Sequence, residues 1–194
     1  MSAVELVLAS SSKPRQQLMQ RLAVPFTIAV PDVDETALAD ETPQQLVQRL
    51  SITKAQAVAS KFPHALIIGA DQVAVVEGEI FGKPLTIANA VKQLLAASGK
   101  PMKFFIGMTL LDTRNQHQQT VLEEFTVIYR PLTRSHIEKY LEKEQPLACA
   151  GSCRVDGLGI TLIQEFQGED FTALIGLPLL RLTTMLTNAG FPLL

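Results

Sequence analysis

Ala65-Leu66-Ile67-Ile68-Gly69-Ala70 is an apolar run without polar alternation, and it passes through Asp71-Gln72 into a second run, Val73-Ala74-Val75-Val76. A strand with one wet face alternates apolar and polar residues, so this run predicts a central strand covered on both faces. Such cover requires further layers above and below, which sets the architecture before any other segment is read. A carboxylate inside the strand is costly to bury unless it is hydrogen-bonded, paired or bound to a metal. Read alone, Asp71 is as well explained by satisfied backbone donors as by chemistry.

The flanking segments supply the layers. Val4–Leu8 predicts a first strand, Pro14–Ala23 a helix with Leu18, Met19 and Leu22 on one face, and Phe26–Val30 a second strand. Thr42-Pro43-Gln44-Gln45 is a capping box with proline at the first helical position. It predicts a helix to about Lys61 that buries Leu46, Val47, Leu50, Ala57 and Val58. Glu77-Gly78 turns the chain, Gly82-Lys83-Pro84 closes a hairpin-like excursion, and a helix from Thr86 to Ser98 ends at Gly99. Two long strands, Met102–Leu111 and Thr120–Tyr129, precede a helix from near Thr133, a strand around Ile160 to Gln164 and a last helix from Leu177 to Asn188. Interleaved strands and helices define an α/β protein with a mixed sheet. At 194 residues and 47% apolar content, one domain over residues 1–194 is expected.

Several classes are excluded. The net charge is −2 and the basic residues form no dense stripe, so a nucleic-acid surface is not expected, whereas a small anion is compatible. No stretch reaches the roughly 18 apolar residues of a membrane span, and the start of the chain lacks a signal-peptide layout, so a cytoplasmic protein without a membrane partner is expected. Cys149 and Cys153 flank an Ala150-Gly151-Ser152 turn with no histidine nearby, which argues against zinc and against a lasting disulfide. His64, His117 and His136 show no ligand spacing.

What remains points to phosphate chemistry. Ser10-Ser11-Ser12-Lys13-Pro14-Arg15 empties a strand into a helix start, where unpaired N–H groups and the helix dipole favour an anion. An ordinary serine cap is the plainer account of that segment alone. Asp32, Asp34 and Glu35 form an acidic loop, Lys54 reads as a surface lysine on the capped helix, and the rigid Gly82-Lys83-Pro84 turn aims Lys83. As solvated charges, neither lysine is expected to matter for stability. An anion-receptive helix start, two further lysines and carboxylates able to hold a hard divalent cation together suit triphosphate chemistry. No Walker or Rossmann glycine pattern is present.

Leu8-Ala9-Ser10-Ser11-Ser12-Lys13-Pro14-Arg15-Gln16-Gln17-Leu18, Asp32-Val33-Asp34-Glu35, Lys54-Ala55, Gly69-Ala70-Asp71-Gln72-Val73, Gly82-Lys83-Pro84, Ala150-Gly151-Ser152 and Gly176-Leu177-Pro178-Leu179 occur in this order over nearly the whole chain. The series resembles the successive signatures of the Maf family of nucleoside triphosphate pyrophosphatases. The resemblance implies a two-lobed α/β fold similar to the inosine triphosphate pyrophosphatases, with a cleft between lobes. It implies hydrolysis between the α and β phosphates of a nucleoside triphosphate with a divalent metal, Mg or Mn, and it allows a homodimer. By position, Asp71 matches the proton acceptor, Ser10, Arg15, Lys54 and Lys83 the phosphate-contacting residues, and Glu35 the acidic residue that joins Asp71 near the metal. Pro14, Gln72 and Asp156 make the chain more similar to the branch acting on 7-methyl-GTP than to the branch acting on dTTP and UTP. Cys153 departs from the aromatic residue common at its position. The alternatives are the same reaction on dTTP, UTP or other non-standard nucleotides, and a nucleotide-sensing role in cell division.

Overall fold

The computed structural model describes residues 4–194. In chain order the elements are β1 (Glu5–Ala9), α1 (Lys13–Gln20), β2 (Thr27–Ile28), α2 (Pro43–Ala59), β3 (Ala65–Val76), β4 (Glu79–Phe81), α3 (Ile87–Ala97), β5 (Pro101–Asp112), β6 (His117–Tyr129), α4 (Arg134–Glu144), β7 (Ile163–Gln167), α5 (Phe171–Ile175) and α6 (Leu179–Asn188). The strands form a seven-stranded sheet in the order β2-β1-β3-β5-β6-β7, with β4 paired to β3. Parallel β1–β2 and β1–β3 pairs and antiparallel β3–β4 and β6–β7 pairs make it a mixed sheet. The chain divides into two compact units, and the division falls inside β3, β5 and β6. The first unit comprises the chain up to Asp71, Ile106–Glu123 and Asp170–Leu194; the second comprises Gln72–Phe105 and Glu124–Glu169.

In the first unit the alternation of strand side chains sorts the core into two layers. Leu6 and Leu8 of β1 and Leu66, Ile68 and Ala70 of β3 pack with Leu18 and Met19 of α1 and Leu182, Met185 and Leu186 of α6. Val7, Ala9, Ala65 and Ile67 point the other way and pack with Ala55 and Val58 of α2. Buried cover on both faces is what the unalternating run requires. Ala57, expected on the buried face of α2, is exposed, and Ala55 takes the inner position.

The closeness of α2 to the sheet depends on Gly69. A β-carbon there would lie 2.1 Å from the Ser51 carbonyl oxygen and 2.8 Å from the Ala55 backbone nitrogen, both on α2. Gly107 of β5 stands in the same relation to Val47, whose carbonyl oxygen would be 2.2 Å away. Buried Ser51 also bonds the Thr109 hydroxyl of β5 at 2.8 Å. Gly69→Ala is expected to lift α2 from the sheet at a cost of about 2–3 kcal/mol, read as a lower urea midpoint. An unshifted midpoint would show that the helix gives way freely.

Some boundaries differ from expectation. β2 is confined to two exposed residues between Pro25 and Pro31, which supply no backbone N–H to extend the pairing. The strand expected at Ile160–Gln164 begins at Ile163, after a 3-10 segment over Leu158–Leu162. There Gly159 packs against backbone, its missing β-carbon 2.4 Å from the Arg154 carbonyl oxygen. The last helix begins at Leu179, behind α5. In the second unit, α3 packs against α4 and against a 3-10 turn at Ala150–Ser152. Cys149 and Cys153 are free, and burial pushes the Cys153 thiol up to about 12, which leaves it unreactive. Among the described residues, no helix is long and apolar enough to cross a membrane.

Candidate active site

The parity that sorts the core also delivers Asp71. Ala65, Ile67, Gly69 and Asp71 share the α2 face of β3, and Lys54 lies on α2 three residues after Ser51 and one before Ala55. Lys54 Nζ is 2.6 Å from Asp71 Oδ1 and 2.7 Å from Glu35 Oε1. Lys54 is 5% exposed, so it is not the solvated surface lysine expected from its place on a capped helix. The reason is the missing β-carbon at Gly69, which draws that face of α2 onto the strand. Asp71 is likewise buried, whereas Glu35 is exposed. A buried ammonium and carboxylate compensate one another at short range, and removal of either strands the other.

The loop after β1 supplies a second pair. Ser10, buried at the strand end, accepts hydrogen bonds through Oγ from the Ser12 backbone N–H at 3.2 Å and from Arg15 Nη1 at 3.4 Å. Arg15 Nε donates to the Gly176 carbonyl at 2.9 Å. Ser12 occupies the N-cap of α1 without a side-chain cap bond, and Pro14 sits in its first turn, so the plain serine cap is not what forms. Burial pushes the Arg15 guanidinium below its ordinary value, while the charges of Asp71 and Glu35 push it back up. Arg15 therefore feels the same two carboxylates that Lys54 touches.

The corner that receives Arg15 is built by Asp170, which belongs to none of the motifs singled out in the sequence. Its carboxylate accepts from the Thr172 backbone N–H at 2.8 Å, the Thr172 hydroxyl at 2.5 Å and the Leu180 backbone N–H at 2.9 Å, which caps α5 and ties it to α6. Gly176 ends α5 at φ 124°, a conformation that favours glycine. The signal was present in Asp170-Phe171-Thr172, an aspartate before a helix start.

The acidic loop is used unequally. Asp34 Oδ1 accepts from the Thr36 N–H at 2.9 Å, and the Thr36 hydrogen bonds hold its carboxyl below the usual range. It serves the turn, and Asp32 is exposed. Among the described residues, no three His, Cys, Asp or Glu side chains form a metal cluster. The oxygen donors gathered here are Glu35 and Asp71, both bridged by Lys54. One or two carboxylates plus phosphate oxygens is a usual donor set for Mg²⁺, so Glu35 and Asp71 are the residues here that could hold a divalent cation.

The other expected site residues lie in the second unit. Gln72 follows Asp71 on β3 and is half-buried. Lys83 is exposed beside buried Pro84. Asp156 is exposed, and its Oδ1 lies 3.4 Å from Arg154 Nε, while Arg154 Nη1 reaches Glu144 at 3.2 Å.

A buried lysine between two carboxylates and an arginine-braced helix start, carried on a mixed sheet, define an α/β protein with a concentrated charged site. A family model described as Maf-like protein matches residues 5–189. The chain belongs to the Maf family. Proteins named 7-methyl-GTP pyrophosphatase are similar to it over nearly their full length. That of Nitrosococcus oceani is 53% identical, covering 97% of this chain and 95% of its own. That of Pseudomonas aeruginosa is 48% identical over 96% and 97%, and that of Pseudomonas savastanoi pv. phaseolicola 49% over 95% and 96%. The Staphylococcus aureus Ham1 protein structure is similar over 66% of this chain and 72% of its own, at 16% identity with a TM-score of 0.48, too distant a likeness to bear on function.

Proposed function

We propose that this chain hydrolyses 7-methyl-GTP to 7-methyl-GMP and pyrophosphate. The observation that carries the chemistry is the Glu35–Lys54–Asp71 contact, with Arg15 and Ser10 bracing the start of α1. The substrate follows the names of three relatives at about half identity over nearly the full chain.

Asp71 is assigned as the general base. Lys54 engages Oδ1, so Oδ2 is the oxygen assigned to water. Water gives a proton to Asp71 as its oxygen bonds the α-phosphorus, and the bond from that phosphorus to the bridging oxygen breaks. The electron pair leaves with pyrophosphate. The N-terminus of α1, Ser10 and Arg15 are assigned to the phosphates, with Lys54 and Lys83. The charges of Glu35 and Asp71 cancel those of Lys54 and Arg15, so these four together leave a triphosphate's charge unmatched. A divalent cation held by Glu35 and Asp71 would supply that charge and polarise the phosphoryl group.

Gln72 and Asp156 are assigned to base selection, with Pro14 shaping the start of α1. N7 methylation makes guanine cationic and its N–H donors more acidic, so a carboxylate accepts from them with charge-assisted strength. Arg154 already leans on Asp156 at 3.4 Å, and a cationic base competes for that carboxylate better than a neutral one. Asp156→Ala is expected to lower kcat/KM for 7-methyl-GTP by about 10–100-fold more than for UTP. Equal losses on the two substrates would remove Asp156 from base selection. The reading as a whole is tested by pyrophosphate release over a panel of modified and ordinary nucleoside triphosphates, with and without chelator. Nucleotide binding without pyrophosphate release would make the chain a sensor, and faster turnover of dTTP or UTP would reassign the base.

A further inference from the structure

We propose that Gln93 is a positioning residue that locks the Lys83 turn to the Ala150–Ser152 turn, so that Lys83 is presented from a fixed base. The proposal rests on the phosphate-binding role assigned to Lys83 above. Gln93 lies on α3, half-buried, and uses both ends of its amide. Its Nε2 donates to the Gly82 carbonyl at 3.2 Å, and its Oε1 accepts from the Ser152 hydroxyl. The same Gly82 carbonyl accepts from the Gly151 backbone N–H at 3.4 Å. One side chain and one backbone bond thus close a ring between two turns almost seventy residues apart in sequence.

The rest of the local structure shows why such a lock is needed. Gly82 and Lys83 are exposed and Leu85 is left-handed at φ 62°; buried Pro84 and the Leu85 N–H bond to the Leu147 carbonyl at 3.2 Å anchor the far end of the turn, which leaves the Gly82 end to Gln93 and the Gly151 N–H. Asn89, also on α3, holds the far side by donating Nδ2 to the Pro84 carbonyl at 3.0 Å. Opposite, Gly151 and Ser152 are consecutive left-handed residues at φ 67° and 58°. Ser152 is fully buried, and a β-carbon on Gly151 would lie 2.6 Å from Met102 Sδ. A buried left-handed serine is a strained conformation that its surroundings must impose. The Ser152 backbone N–H bonds the Cys149 carbonyl at 3.1 Å and its hydroxyl bonds Gln93, so α3 contributes a side-chain contact to both turns.

The test uses Gln93→Met, which keeps the volume of the side chain and removes both hydrogen bonds. If Gln93 acts through Lys83, kcat/KM on nucleoside triphosphate falls about tenfold, mostly through KM, because uniform phosphate binding is what a displaced lysine loses. In a Lys83→Ala background the same change has no further effect, since coupled residues are not additive. Amide exchange in Gly82–Leu85 and Ala150–Cys153 speeds up in Gln93→Met whether or not the protein turns over nucleotide. Wild-type kinetics, a full tenfold loss added to that of Lys83→Ala, or unchanged exchange in both turns would each overturn the proposal. Faster exchange in Gln93→Met, found together with a native chain that releases no pyrophosphate, would overturn the phosphate-binding role of Lys83 and the function it rests on, separately from the contact between the two turns.

Discussion

Asp71→Asn is expected to lower turnover by roughly 10²- to 10⁴-fold while the protein remains folded. Asparagine keeps the shape and can still accept from Lys54 through its amide oxygen, which is the contact Asp71 Oδ1 makes at 2.6 Å. What it loses is proton affinity, and with it the group proposed to take the proton from attacking water. The buried ammonium loses its buried charge partner and keeps only exposed Glu35, so a moderate fall in thermal stability accompanies the kinetic loss, and circular dichroism at the assay temperature separates the two. A folded Asp71→Asn protein with near-native turnover would sink the base assignment. Asp71→Glu sharpens the reading, since the longer carboxylate must move its oxygens within a strand that meets α2 at Gly69. Its activity is expected to lie between those of the native and asparagine proteins.

Much of the fold is legible in the sequence because its strongest signals are local. The capping box at Thr42 forms as expected, with Gln45 and Thr42 bonding reciprocally, and the doubly covered strand emerges from its unalternating pattern. The C-terminal region misled for a physical reason. Leu158, Ile160 and Leu162 alternate with Gly159 and Thr161, which copies a strand's period, yet the close packing of Gly159 on Arg154 bends the segment into a 3-10 turn. α5, five residues long, is too short for periodicity to reveal. Of the site, residue types were legible but contacts were not. That Lys54 meets Asp71 follows from strand parity together with an unusually close helix, and the closeness is set by an absent side chain at Gly69. Asp170 is legible as a cap from Thr172 two residues on, but its tie to Leu180 is not, and the role of Gln93 depends on partners in two distant turns that no window of sequence contains.

Lys54→Met gives the largest combined effect. The substitution keeps an apolar stem of similar length and deletes the ammonium that Asp71 and Glu35 share. Glu35 is exposed and loses little, but the buried Asp71 carboxylate is left without its partner. Breaking a buried pair from one side costs about 3–5 kcal/mol, so a marked drop in urea midpoint and melting temperature is expected at neutral pH. Turnover is expected to fall by at least about 10²-fold if Lys54 holds the triphosphate as proposed, because a fixed positive charge on the transferring phosphoryl group is then lost. Lys83→Met provides the contrast: its side chain is exposed, so activity falls while stability stays within about 0.5 kcal/mol of native. Lys54→Met/Asp71→Asn separates the two contributions of Lys54, since removal of both charges relieves the stranded carboxylate and restores much of the stability without restoring turnover. If Lys54→Met melted like the native protein, the buried pair would not be the junction that holds α2 to β3. If the double variant were no more stable than Lys54→Met, the cost would lie in lost packing rather than in the stranded charge.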